Sequence, residues 1–161
     1  MSKAKLKPGK PRGRKHGGGK FKDIRPITQR PIHVATRSQI GHWEGDTVGF
    51  TSSKYASITT LVERKSRYLV MLKNKNNQSG RVMSWIMAQI KGNKVKVWGS
   101  ITFDQGTEFA HFKPLEEAKC CITYYCSPRS ACQRGSHENM KGSLRSYLPL
   151  CLPVAGLEQG E

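Results

Sequence analysis

The sequence predicts an α/β domain in which three antiparallel strands lead into alternating helices and strands, in the order βββαβαβα. Three observations carry this. Residues 42–73 hold three β-rich runs joined by short polar connections, the pattern of a meander. Residues 82–148 then switch between helical periodicity and short apolar runs, as βα units do. A chain of 161 residues is long enough for one domain with a real core but hardly for two.

The elements follow in order. Residues 1–30 hold 11 Lys and Arg against Asp23 alone, so much of the net charge of +17 sits at the front. KPGKPRGRKHGGGK has almost nothing apolar to bury, and residues 1–36 are expected to form a basic, disordered arm. Such an arm suits either DNA phosphates or a solubilising role. Packed structure is expected from near Ile40. HWEGDTVGF (42–50) alternates as a strand does, with Asp46 in its middle, a poor strand residue unless something compensates. A turn at 51–54 leads to YASITTLVE (55–63), and a polar connection at 64–67 leads to YLVMLK (68–73), largely apolar and expected to be well buried. Residues 74–80 are a loop. Val82, Met83, Ile86, Met87 and Ile90 recur at helical spacing with Trp85 beside them, and the methionines and tryptophan are read as core packing.

GNKVKVW (92–98) ends that helix, and SITF (100–103) is a short strand halted by Asp104, Gln105 and Gly106. Asp104 thus falls at the C-terminal end of a strand, where open α/β sheets place ligands. Thr107 is expected to cap a helix holding Glu108, Phe109 and Leu115, shortened or kinked by Pro114. CITYYC (121–126) is the last strand. After the loop SPRSACQRG comes a final helix, SHENMKGSLRSY (136–147), capped by Ser136. Glu138 lies in its first turn, where the helix dipole favours negative charge, and Lys141 and Arg145 share its face. This element order is that of the ribonuclease H-like fold, a mixed sheet with flanking helices, although the pattern alone admits other α/β arrangements.

The charge points to a polyanionic partner, nucleic acid before an anionic membrane surface. No long amphipathic basic helix is evident, and no apolar run reaches the length of a bilayer span. An RNA-binding or ribosome-associated role is supported by charge alone. Five cysteines, with no CxxC pair and no apolar signal region, suit a reducing cytosolic compartment. Cys126, Cys132 and His137 match no common zinc spacing and are read as scattered residues.

Eleven carboxylates serve this basic chain, so those in ordered positions are informative. Asp46 lies mid-strand, Asp104 at a strand end and Glu138 in the first turn of a helix. Singly, each is as well explained by a neighbouring arginine or a cap. Together they suit hard divalent cations, which take oxygen ligands. Two such ions can activate a water or a 3′ hydroxyl and stabilise the leaving oxygen of a phosphodiester.

HWEGDTV, SITTLVERKSRYLV, ITFDQGTEFA and QRGSHENMKGSLRSYLP, in that order, resemble the catalytic core of bacterial insertion-sequence transposases of the DDE type, in the branch named after insertion sequence thirty. The likeness runs over about residues 37–149, which are assigned to an integrase-like catalytic core. It implies DNA transposition, with metal-dependent cleavage and strand transfer of transposon-end DNA. By resemblance Asp46, Asp104 and Glu138 are the catalytic residues and bind two Mg²⁺ or Mn²⁺ ions, while Arg134, Lys141 and Arg145 contact DNA. The interval from Asp104 to Glu138 is 34 positions, as the family pattern expects. The resemblance also implies a homo-oligomer when active and a bacterial, nucleoid-associated location without membrane partners. Glu44 and Glu108 belong to the same motifs, either supporting the site from behind or, for Glu108, favouring a helix terminus. His42 and His137 flank catalytic carboxylates and are read as surface histidines before phosphate donors; Trp43 is expected to pack.

The sequence departs from the family in places. Gln105 stands where asparagine is expected, and SPRSACQRG lacks the aromatic residues that would stack on bases. The likeness stops after Pro149, leaving 150–161 as a divergent tail, and the family's helix-turn-helix region is not found. The chain is therefore expected to be part of a transposase, either a catalytic domain or a non-catalytic basic DNA-binding remnant.

Overall fold

A computed structural model describes residues 21, 23–50, 53–74, 78–92, 98–118, 120–128 and 130. The expected final helix, and with it Arg134, Glu138, Lys141 and Arg145, lies outside the described residues.

The three β-rich runs form β1 (His42–Phe50), β2 (Ser53–Glu63) and β3 (Leu69–Asn74), paired antiparallel in sequence order. Helix α2 (Ser79–Gly92) then carries the chain over one face of the sheet, so β4 (Ser100–Phe103) returns parallel to β1. After α3 (Lys113–Glu117), β5 (Ile122–Tyr125) lies parallel to β4. The sheet order is β3-β2-β1-β4-β5, with β1 in the centre. This is the mixed sheet with flanking helices that the element order predicts.

The core occupies the face that α2 covers. Val82, Met83, Ile86 and Ile90 meet Trp43, Leu61, Leu72, Ile101 and Phe103 there, closed at one end by Phe109, Phe112, Leu115 and Tyr125. Trp43 packs as expected, stacked on Trp98 with ring centroids 3.9 Å apart. Trp85 does not: it is 47 % exposed, because it falls off the stripe made by the helix's buried residues. The third strand is less buried than its composition suggests: Met71, paired with Thr60, points to the face opposite α2 and is 48 % exposed, whereas Leu72 beside it joins the core. The helix expected from Thr107 is two pieces, a 3₁₀ turn at Thr107–Phe109 and then α3, which takes Pro114 in its first turn where no amide donor is needed.

Order begins before Ile40. The Phe21 ring meets the Tyr125 ring edge-on at 5.7 Å, the Tyr125 amide donates to the Arg25 carbonyl at 2.8 Å, and Pro26 bridges to Tyr125. A 3₁₀ turn at Ile27–Gln29 and the short helix α1 (Ile32–Ala35) then cross to the sheet face opposite α2, with Val34 buried. Phe21 and residues 23–35 thus form a strap that rounds the β5 edge. A few apolar residues, Phe21, Ile24 and Val34, dock it, and the strongly basic composition of the surrounding sequence hides them.

Candidate active site

Asp46 sits in the central strand, paired with Thr60 of β2. Strand alternation turns its side chain away from the α2 face occupied by Trp43. It is 4 % exposed, and its Oδ1 accepts the Thr47 amide at 2.8 Å. Asp104 is the first residue past β4. Its Oδ1 accepts the Gly106 amide at 2.9 Å, a local bond that turns the chain out of the strand.

The strand register relates the two. His42 lies opposite Ser100, Trp43 opposite Ile101 and Glu44 opposite Thr102 in the parallel β1–β4 pair. The ladder ends there, two residues before Asp46 on β1 and two before Asp104 just past β4, and alternation directs both side chains to the face opposite α2. Two carboxylates distant in sequence therefore share one edge of one face.

Glu108 lies in the 3₁₀ turn that follows Asp104. Its carboxyl is held above the ordinary glutamate value, first by burial and then by the negative charges of Asp104 and Asp46; its own amide and the Thr47 hydroxyl pull the other way. A Cβ placed on Gly106 would lie 2.7 Å from the Glu108 carboxyl carbon and 2.9 Å from Asp104 Oδ1. A side chain at Gly106 would therefore push the Glu108 carboxyl aside. The motif marked Glu108 without settling its role; the 3₁₀ turn places it within reach of the charges of Asp104 and Asp46.

Other sequence candidates are placed elsewhere. Glu44 shares the Asp46 face but pairs with Arg64 at 2.8 Å, both side chains buried. His42 bonds through Nδ1 to Ser100 Oγ at 2.8 Å, and its position four residues up β1 puts it about 13 Å from Asp46. Burial, with His33 and Arg64 nearby, holds its pKa below the usual histidine range. Gln105 uses its length to donate from Nε2 to the Cys126 carbonyl at 3.2 Å, tying the end of β4 to the end of β5. Cys120, Cys121 and Cys126 form no disulfide among the described residues, and burial pushes the Cys121 thiol up to about 12.

Among the described residues no group of three His, Cys, Asp or Glu is set to hold a metal ion. The donors that do gather are carboxylate oxygens, the class hard divalent cations take. Burial first, and the charges of Asp104 and Asp46 after it, disfavour the ionised Glu108, and a bound cation would offset both. Among the described residues, no helix is long and apolar enough to cross a membrane.

No family model matches the chain. It is 34 % identical over 136 residues to transposase InsI for insertion sequence element IS30C of Escherichia coli (strain K12), a match covering 84 % of this chain and 35 % of that protein. It is 34 % identical over 131 residues to the transposase for insertion sequence element IS1086 of Cupriavidus metallidurans, covering 81 % and 38 %. With the probable transposase for insertion-like sequence element IS1161 of Streptococcus salivarius the identity is 33 % over 151 residues, covering 93 % and 41 %. The chain thus spans well under half the length of these relatives. Among solved structures it resembles the catalytic core domain of BIV integrase, with a TM-score of 0.53 at 19 % identity, over 72 % of this chain and 76 % of that one. It also resembles a chain of the simian T-cell lymphotropic virus intasome in complex with a PP2A regulatory subunit, with a TM-score of 0.54 at 19 % identity, over 70 % and 43 %. These likenesses show the ribonuclease H-like fold.

Proposed function

The homologues of this chain are transposases of the insertion-sequence-thirty family, and from that premise we propose that it carries their catalytic core and cleaves and joins transposon-end DNA. The observation that supports the reading is the parallel pairing of β1 with β4, the strands that carry Asp46 and lead into Asp104, in a chain of net charge +17. Asp46, Asp104 and Glu138 form the DDE triad and hold two Mg²⁺ or Mn²⁺ ions. When bound, the ions supply an activated water or 3′ hydroxyl and stabilise the departing oxygen.

The chain's own residues do the rest. Asp46 on β1 and Asp104 in the turn after β4 each have one oxygen held by a backbone amide, so their carboxylates need little reorganisation to receive cations. Arg134 and Arg145 grip phosphate with planar forks and Lys141 with a point charge. The basic residues of 1–30 add contacts to the DNA backbone, and binding should weaken steeply with salt. Residues 37–149 make up the catalytic core, with 150–161 a divergent tail. The protein works as a homo-oligomer on paired DNA ends and target, at the bacterial nucleoid.

The test is cleavage and strand transfer on labelled transposon-end DNA, with and without Mg²⁺. Activity should require the metal and fall to background in Asp104→Ala and Glu138→Ala, while DNA binding survives in both. Wild type and both variants behaving alike would refute catalysis by the triad and leave a basic DNA-binding remnant.

A further inference from the structure

Behind Asp46 and Asp104 lies the rung Glu44–Thr102, where the β1–β4 ladder ends. Glu44 is fully buried and accepts from Arg64 Nε through Oε1 at 2.8 Å. The same guanidinium donates to the Val34 carbonyl and, at 3.4 Å, to the Ala35 carbonyl. At the other end of the rung, Arg30 donates to the Thr102 hydroxyl at 3.3 Å. Each end of the rung is thus held by an arginine, and both arginines belong to the strap or bind it.

Stability alone does not account for this arrangement. A buried ion pair is often matched or bettered by an apolar pair of similar volume. Arg30 Nε and Glu44 Oε2 are buried with no hydrogen-bond partner among the described residues, a cost that apolar packing would avoid. What the arginines add is direction. Arg64 has a planar fork with donors at fixed angles, so it fixes Glu44 relative to the strap backbone and not merely near it. Side chains two apart on a strand share a face about 6.7 Å from one another, so a shift at Glu44 or Thr102 passes directly to Asp46 or Asp104.

We propose that Arg64 and Arg30 are positioning residues, which lock the Glu44–Thr102 rung from the strap side and thereby set the spacing of Asp46 and Asp104. The inference rests on the reading of those aspartates as metal-holding residues of a DNA-joining enzyme. Its test uses the full chain carrying Glu44→Met together with Arg64→Met, which removes the Arg64 end of the lock as a pair, and, separately, Arg30→Met, which removes the other end. The fold, read by circular dichroism and thermal melting, should persist. Amide exchange over 44–47 and 102–106 should quicken, and Mn²⁺ affinity, read by electron paramagnetic resonance, should fall by about 10- to 100-fold. On transposon-end DNA kcat should fall by up to about 100-fold with KM little changed, and Arg64→Lys should retain part of the wild-type rate. A folded double variant with wild-type exchange and Mn²⁺ affinity overturns the proposal. Wild type that binds Mn²⁺ but joins no DNA ends overturns the proposed function instead, and the lock is then judged by exchange and Mn²⁺ affinity alone.

Discussion

Gly45 lies between Glu44 and Asp46 in the central strand, and its replacement by alanine gives a test of how tightly the site is coupled to the core. An added Cβ would stand 2.4 and 2.6 Å from two carbons of the Phe103 ring and 3.3 Å from Leu61. Carbon atoms pack at about 3.5–4.0 Å, so the overlap with Phe103 is about 1 Å. The ring cannot simply turn away. It is fully buried, stacked on Phe109 with centroids 4.5 Å apart and flanked by Tyr125 at 6.0 Å. Either β1 bends or Phe109 moves, and Phe109 is the residue after Glu108. Overpacking of this kind costs about 2 kcal/mol, which for a domain of this size lowers Tm by about 4–8 °C. Phe103→Leu should cost about 1 kcal/mol by itself but make room for the methyl group. The double variant should therefore be more stable than the sum of the single losses by about 1 kcal/mol. Urea unfolding followed by tryptophan fluorescence reads all three, with the stacked Trp43 and Trp98 as reporters. The reasoning is refuted if Gly45→Ala stays within about 0.5 kcal/mol of wild type, or if the double variant is simply additive.

Two further predictions concern charge. Glu108 has a raised pKa in the folded state, so its ionisation opposes folding: the penalty is absent below the ordinary value near 4.5 and full above the raised one. Glu108→Gln should accordingly raise Tm in metal-free buffer at pH 7 and lose that advantage as pH falls below about 4.5; a Tm gain that is the same at both pH values would contradict the charge argument. Glu63 runs the other way. Burial alone would raise it, but the Ser66 amide and hydroxyl and the amides of Gly41 and Lys65 outweigh that and hold it below the usual range. Its contribution is present above the unfolded pKa and is lost as pH falls through the depressed folded one. Glu63→Gln should therefore destabilise at pH 7, with a gap from wild type that narrows under acid; a gap that widens in acid melts would count against it.

The sequence made some of this legible for identifiable reasons. HWEGDTVGF is a strand over its whole length because its alternation matches the two sheet faces, and Asp104 ends a strand because Asp-Gln-Gly cannot continue one. The same alternation already assigned Asp46 to a face. It could not say that β4 would be the neighbour on that face, since pairing 58 positions apart leaves no local signal. Trp85 falls off the buried stripe of α2, and Met71 points to the sheet face that α2 does not cover; counting apolar residues shows neither. The strap was missed for a related reason: a composition window dominated by lysine and glycine gives no weight to three well-placed apolar side chains. Glu44 carried a motif signal, yet its partner Arg64 lies at the end of the next strand and is found only through the β1–β2 register.

That register also bears on when the acidic edge comes into being. The β1–β2–β3 meander joins close neighbours in sequence, so it can form with little loss of chain entropy. Bringing β4 alongside β1 closes a loop of 58 residues and needs α2 in place as the bridge. Asp46 is therefore laid down with the early, local part of the structure, whereas Asp104 reaches it only with the long-range part. A folding intermediate that keeps the meander but has not docked β4 holds one aspartate in a strand and no paired site. The chemistry, and the crowding of negative charge that goes with it, is confined to the completed fold.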